Sequence, residues 1–329
     1  MKKKIMALIL TAVLAAAFLP GCKKNVGTPE DNPVQEDTEE NTPAEEYTFV
    51  YSCGDLTDPF FDVLKESIRA GLEEQGHQLM VNDAKQDANK QAEQLAALAE
   101  QDVDGVFLCP TDEETIAPSL EMLDEAGIPV ISLSVRLENS GLSDAFIGSD
   151  EENAGEVCAE DLLQRRPDGG KLVIVEKSQS SLINERITGF EEAIRNEGFE
   201  VIKRIDAGKT ESGVQEELRQ LLNAEEQIDA VMCGDDRMAK EVLTVLDEIG
   251  YTEAVVYSVG GSPEIKAALL DPLNPMTGTG ALSPINIGKT AAKVAVAITD
   301  GGIYEKETSV ETFLITRDNL EMYGTDGWQ

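Results

Sequence analysis

The residues best placed to do chemistry stand together early in the chain, at Asp58-Pro59-Phe60-Phe61. A β-branched and aromatic run, Thr48-Phe49-Val50-Tyr51-Ser52-Cys53, precedes them and reads as a strand. The chain turns over Gly54 and Asp55, and apolar residues then recur at helical spacing: Phe61, Leu64, Ile68, Leu72. Asp58 is placed to cap that helix. Pro59 suits its first position, because its missing N–H would lack an intrahelical partner anyway. The stretch is thus strand, loop, helix, with a carboxylate and two aromatics at the junction, where open α/β sheets bind ligands. Two readings stand: a capped helix with Phe61 in the core, or a ligand acceptor beside a ring platform.

Other chemistry is thin. There is no GxGxxG or Walker loop. Gly260-Gly261-Ser262-Pro263 stands between a strand and a helix; it reads as a tight turn or as backbone N–H groups offered to an anion. His77 is the only histidine, lies between Gly76 and Gln78, and reads as a surface residue. No Ser-His-Asp arrangement follows, and no Cys/His zinc site, since no CxxC pair exists among Cys22, Cys53, Cys109, Cys158 and Cys233. A catalytic cysteine needs a thiolate-lowering neighbour, and none is evident. Cys53 and Cys109 end the first and third strands, neighbours in a doubly wound sheet, so a disulfide and two buried free thiols both fit. Cys158 and Cys233 read as core. The sequence points to no catalytic residue, cofactor or metal. What remains is a binding site.

The elements that must position it alternate regularly. Gln78–Val81, Gly105–Leu108, Val130–Leu133 and Ala145–Gly148 read as strands, with helices over Ala88–Gln101 and Ile116–Ala126 between them. Gly105–Leu108 is almost wholly apolar, as in a strand covered on both faces. The pattern then repeats: helix Glu152–Leu163, strand Lys171–Val175, helix Ser181–Asn196, strand Phe199–Ile205, helix Gly213–Leu222, strand Ala230–Cys233, helix Met238–Ile249 and strand Val255–Val259. After Met276–Gly280 come a long helix, Ile285–Thr299, and a last strand near Glu311–Ile315. This is an α/β chain of two Rossmann-like, doubly wound parallel-sheet lobes facing each other across a cleft.

The chain has 329 residues, enough for two cores. Its net charge of −36 argues against nucleic acid, whose phosphates must be met by Lys and Arg. Residues 1–22 read as a targeting segment. Lys2-Lys3-Lys4 is followed by an apolar stretch, Ile5–Leu19, too short for a confident spanning helix. It ends at Leu19-Pro20-Gly21-Cys22, which resembles a lipoprotein signal with Cys22 as the acylated residue; Pro20 departs from the usual pattern, and an uncleaved anchor is the other reading. Either places the rest of the chain outside the cytoplasm, at the outer face of the membrane. Residues 23–46, rich in Glu, Asp and Pro, read as a disordered acidic tether.

Taken in order, several motifs resemble type I periplasmic binding proteins of the ribose and galactose kind. They are Asp58-Pro59-Phe60-Phe61, Asn82–Asp87 with Gln91 and Gln94, Cys109-Pro110-Thr111-Asp112, Gly127-Ile128-Pro129-Val130 and Ile147-Gly148-Ser149-Asp150. Asn153-Ala154-Gly155, Glu185-Arg186 before Gly189-Phe190, Gly234–Ala239 and Pro284–Gly288 continue the series. The likeness runs from about Tyr47 to about Leu320. It implies three crossings between lobes, near Ser149, Ser283 and Thr312. The first lobe would then take 47–148 plus 283–311, and the second 149–282 plus 312–329.

The resemblance also assigns roles. Asp58 would accept from ligand hydroxyls, and Phe60 or Phe61 would stack on the ring. Arg186 would reach into the cleft, with a salt bridge to Glu185 or Glu191 as its other reading. Asp235 would face the ligand or cap the following helix, for which Asp236 is the better placed. Departures stand at four further positions; before Pro284, Ala281-Leu282 replaces the usual polar amide. Ser134 and Val135, with Arg136 one place later, replace a common Asp-Arg pair; Cys109 replaces an Asn; Gly260 replaces an Asp. The expected ligand is a sugar or derivative, or, given the sparser hydroxyl-binding groups, a small cationic or partly apolar solute. The expected partner is an ABC import permease, reached by a lipid-anchored monomer. A sensor subunit serving a histidine kinase or chemoreceptor is the alternative. A LacI-type regulator is disfavoured by the targeting segment and by the lack of a basic helix-turn-helix before Tyr47.

Overall fold

The computed structural model describes residues 45–329 apart from 138, 211–212 and 225–226. The targeting segment, Cys22 and nearly all of the acidic tether lie outside the described residues.

Two six-stranded sheets form the frame. The first holds β1 (Thr48–Cys53), β2 (Gln78–Asp83), β3 (Gly105–Leu108), β4 (Val130–Leu133), β5 (Ala145–Ser149) and β11 (Glu307–Val310). Its order is β11-β5-β4-β3-β1-β2, all parallel. The second holds β6 (Gly170–Glu176), β7 (Phe199–Asp206), β8 (Ala230–Cys233), β9 (Val255–Gly260), β10 (Met276–Ala281) and β12 (Phe313–Thr316). Its order is β12-β10-β9-β8-β6-β7, with only β12 antiparallel. The chain is therefore an α/β protein of two doubly wound lobes. Central strands such as β3, β4 and β8 are buried at every residue, which is why they read as unbroken apolar runs. β11, with alternating exposed residues at the sheet edge, carries no such run and was not legible.

Helices cover both sheets. α1 (Pro59–Glu73) buries Leu64, Ile68 and Leu72 and packs on α9 (Pro284–Thr299). Each such side chain contributes about 1.5–3 kcal/mol on burial. α2 (Ala88–Leu98) packs on α3 (Glu113–Ala126). On the second sheet lie α4 (Glu151–Arg165), α5 (Ser181–Ala193), α6 (Val214–Asn223), α7 (Asp236–Ile249) and α8 (Pro263–Leu270). α4 and α5 approach backbone to backbone. A Cβ on Gly155 would stand 1.8 Å from the Arg186 carbonyl oxygen, and one on Gly189 would stand 2.0 Å from that of Glu152. Only glycine permits this contact, and it sets Arg186 beside Glu151.

His77 is not a surface residue. It is buried, its Nδ1 accepts from the Tyr47 backbone N–H at 3.2 Å, and its ring stacks on Tyr47 at 4.9 Å. Its sequence neighbours are polar, but Tyr47, thirty positions earlier, covers it. Cys53 and Cys109 are buried free thiols at the carboxyl ends of the adjacent strands β1 and β3. Cys109 lies against the Tyr51 hydroxyl at 3.5 Å, and burial pushes its thiol well up, whereas a hydrogen bond from Cys109 brings the Cys53 thiol down.

Candidate functional site

A cavity of about 360 Å³ opens where the carboxyl ends of both sheets meet. Its lining comes from segments that follow strands. Asp58, Phe60 and Phe61 follow β1, and Ser134 follows β4; Glu151 opens α4 and Arg186 lies on α5; Asp235 and Arg237 follow β8. Gly260, Ser262, Leu282 and Trp328 complete much of the wall, and Glu264 and Lys240 add one charge of each sign.

Asp58 does two things. One carboxylate oxygen accepts from the Phe60 N–H at 3.0 Å and caps α1. The other meets the Arg237 guanidinium at 3.3 Å. The second nitrogen of that guanidinium lies 3.5 Å from Asp235. Arg237 thus links Asp58, after a strand of the first sheet, to Asp235, after a strand of the second.

Asp235, not Asp236, caps α7, accepting from the Met238 N–H at 2.8 Å. The helix starts at Asp236, two residues earlier than its apolar pattern implies, which moves the cap back to Asp235. Asp236 is buried instead. It accepts from Ser258 Oγ at 2.6 Å, Thr279 Oγ1 at 3.1 Å and the Ser262 N–H at 2.7 Å. Burial raises its pKa, against the pull of those hydrogen bonds. The glycine turn therefore does offer an N–H to an anion, and that anion is the protein's own Asp236.

Arg186 is buried and lines the cleft, and its Nε donates to Glu151 at 2.6 Å. The partner is neither Glu185 nor Glu191. Their nearness in the chain is overridden by the α4–α5 contact. Its Nη1 donates to the Gly234 carbonyl at 3.0 Å. Burial opposes the charge, but Glu151, with Asp235 and Asp236, outweighs it and raises the pKa.

Asp58, Phe60, Phe61, Arg186 and Asp235 therefore converge on one cavity. Two expected residues stand apart from its lining. Arg136 lies over the Phe146 ring at 4.1 Å and pairs with Glu307 at 3.6 Å. Cys109 is buried among core residues of the first sheet. The cleft also contains residues for which no role was read from the sequence. Arg237 was visible in its motif, one residue past Asp236. Trp328 carried no signal, since it sits in no strand or helix. Ser134 has left-handed backbone (φ 63°), is buried, and its Oγ has no hydrogen-bond partner among the described residues. Nothing here assembles a nucleophile with a base. Among the described residues no group of three or more His, Cys, Asp or Glu could hold a metal ion.

Known proteins give the same picture. The chain is 27% identical over 273 residues to the ribose import binding protein of Bacillus subtilis, covering 83% of this chain and 88% of that one. It is 23% identical over 236 residues to the D-apiose import binding protein of Actinobacillus succinogenes, covering 68% and 75%. A solved ABC transporter solute-binding protein from Mycobacterium smegmatis with bound glycerol superposes with a TM-score of 0.78 at 23% identity, over 87% of this chain and all of that one. Another from Bacillus halodurans with bound myo-inositol gives 0.76 at 22% identity, over 84% and 96%. The family profile described as periplasmic binding protein domain matches residues 49–303. The chain belongs to that family: it is a type I periplasmic binding protein, a solute binder and not an enzyme.

Proposed function

We propose that this chain is an extracytoplasmic solute-binding protein that captures a neutral sugar or cyclic polyol and delivers it to the permease of an ABC importer. The observation that carries the neutral ligand is the pairing of charges in the cleft. Asp58 and Asp235 share Arg237, and Glu151 holds Arg186. A cation would have to displace an arginine that is already there. A hydroxylated solute needs only to join the array, since guanidinium and carboxylate retain donors and acceptors for hydroxyls. The buried Ser134 hydroxyl, without a partner among the described residues, supplies a further group for such a ligand. Phe60 and Phe61 offer apolar faces to the ring. The names of the relatives, with ribose and D-apiose import among them, support the same class.

Capture works by lobe closure. The moving bodies are 47–148 with 283–311, and 149–282 with 312–329. The Asp58–Arg237 pair, which spans them, parts on opening. The lipid on Cys22 and the acidic tether hold the lobes near the permease. Calorimetric titration with D-ribose, D-apiose, myo-inositol and xylitol tests this reading. Binding of at least one is expected, weakened about tenfold or more in Asp58→Ala, since a charged hydrogen bond is worth about 1.5–3 kcal/mol. No heat with any of the four would overturn it.

A further inference from the structure

Trp328 is the sole tryptophan of the chain and belongs to no strand or helix. It follows β12 and the short turn Leu320–Met322, yet its indole lines the cleft. Its ring lies 5.6 Å from that of Phe60, edge to face at 79°. Phe60 in turn meets Phe61 edge-on at 5.5 Å. The phenylalanines follow a strand of the first sheet, and the indole follows a strand of the second. The aromatic contact therefore crosses the cleft at a point distinct from the Asp58–Arg237 pair.

The backbone on either side of this indole is tied down. The Gly327 carbonyl accepts from the ammonium of Lys266, a fully buried residue of α8. Burial pushes that lysine's pKa down, against the pull of Asp326 and Asp236. The Gln329 carbonyl accepts from the Ile285 N–H in the first turn of α9 at 3.3 Å. One tie reaches a helix on the second sheet and the other a helix on the first. An indole held by its neighbours on both sides is a preorganised surface, the property that a recognition group needs.

We propose that Trp328 is a specificity-determining residue of the cleft. Its indole presses on the apolar face of a bound ring, beside Phe60, and limits the cleft to ligands of a single ring. The inference rests on the sugar or cyclic-polyol reading given above. The chemistry is that of C–H groups meeting a large aromatic face, which buries area without requiring a hydrogen-bond partner. The cavity, at about 360 Å³, is near the lower end for ligand pockets, in keeping with a one-ring solute.

The test uses the full chain, as wild type, Trp328→Phe and Trp328→Ala. D-ribose, myo-inositol and open-chain xylitol are titrated by calorimetry, and tryptophan emission is followed in the wild type. The wild-type emission is expected to shift along the same saturation curve as the heat. Trp328→Ala should lose about tenfold or more in affinity for the ring ligands and clearly less for xylitol. Trp328→Phe should lose only a few-fold, and all three proteins should melt within a few degrees of one another. A purely structural tryptophan would move the melting temperature and spare the difference between ring and open chain. Two results would overturn the proposal: ring binding by Trp328→Ala within about twofold of wild type, or emission that ignores a ligand whose heat is measured. Should Trp328→Ala not fold, the wild-type emission and Trp328→Phe carry the same decision. A wild type that binds none of these three, nor D-apiose, removes the sugar reading and this inference with it. Equal binding by wild type and Trp328→Ala removes only the role of the tryptophan.

Discussion

The two lobes fasten their halves of the cleft by different means. Beneath the first sheet's carboxyl edge the buried polar groups are neutral. Gln91 is buried; its amide donates to the Cys109 carbonyl at 3.0 Å and to Ser52 Oγ at 3.2 Å, and its oxygen accepts from the Thr111 N–H at 2.8 Å and from the Thr111 hydroxyl. Beneath the second sheet's edge the groups are ionic: Arg186 with Glu151, Asp236 with its three donors, and Lys266 against Gly327. Both solutions hold loops at strand ends. A neutral network costs less to desolvate and loses less when a member is removed. A buried ion pair leaves an uncompensated charge when broken. The second lobe should therefore be the more fragile to single changes around the cleft, and the first the more tolerant.

The comparison can be broken in several places. The largest effect should come from Arg186→Ala, which strands Glu151 in the interior and should cost about 3–5 kcal/mol in urea unfolding. Replacing both partners with apolar residues, Arg186→Met with Glu151→Leu, should recover much of that loss. Next comes Asp236→Ala, which removes the acceptor of the buried Ser262 N–H and two hydroxyls and should cost about 2–3 kcal/mol. Gln91→Ala on the neutral side should cost less, about 1–2 kcal/mol by the same measurement. Equal losses for Arg186→Ala and Gln91→Ala would erase the distinction between the lobes.

The smallest effect lies away from the cleft, at Asp206. The Ser178 hydroxyl, aided by the Gly208 N–H and Lys209, holds its carboxyl down at about 2 against the opposing effect of burial. The folded value lies below the unfolded 3.8, so the contribution is complete above about pH 4 and is lost as pH falls through about 2. Acid unfolding followed by circular dichroism should be shallower in Asp206→Asn across that window, with no change in slope at neutral pH.

Much of the fold could be read from the sequence, because buried parallel strands are apolar at every position and their helices carry one apolar stripe. The β4 range, Val130–Leu133, agrees to the residue. Edges and caps were harder. β11 pairs with β5 through its backbone, which its side chains do not advertise. Asp235 and Asp236 changed places because two adjacent carboxylates differ only in which one the helix start selects. Among residues lining the cavity, those following strands were legible: Asp58, Phe60, Phe61, Asp235. Arg186 was found with the wrong partner, since Glu151 reaches it through a glycine contact between helices. Trp328 arrives by tertiary placement alone and has no local pattern to betray it. Arg136 and Cys109 followed a family pattern from which this chain departs, and the structure sets both outside the lining of the cleft.

The central claim is that the cleft, in which Asp58 and Asp235 share Arg237 and Glu151 holds Arg186, selects neutral solutes. The direct measurement is a paired calorimetric titration of the wild type with myo-inositol or D-ribose and with a primary ammonium compound of similar size. The account predicts saturable binding of a neutral ring and no measurable heat of binding from the cation. Tighter binding of the cation would contradict it, because the ligand would then have to displace Arg237 from Asp58 and Asp235.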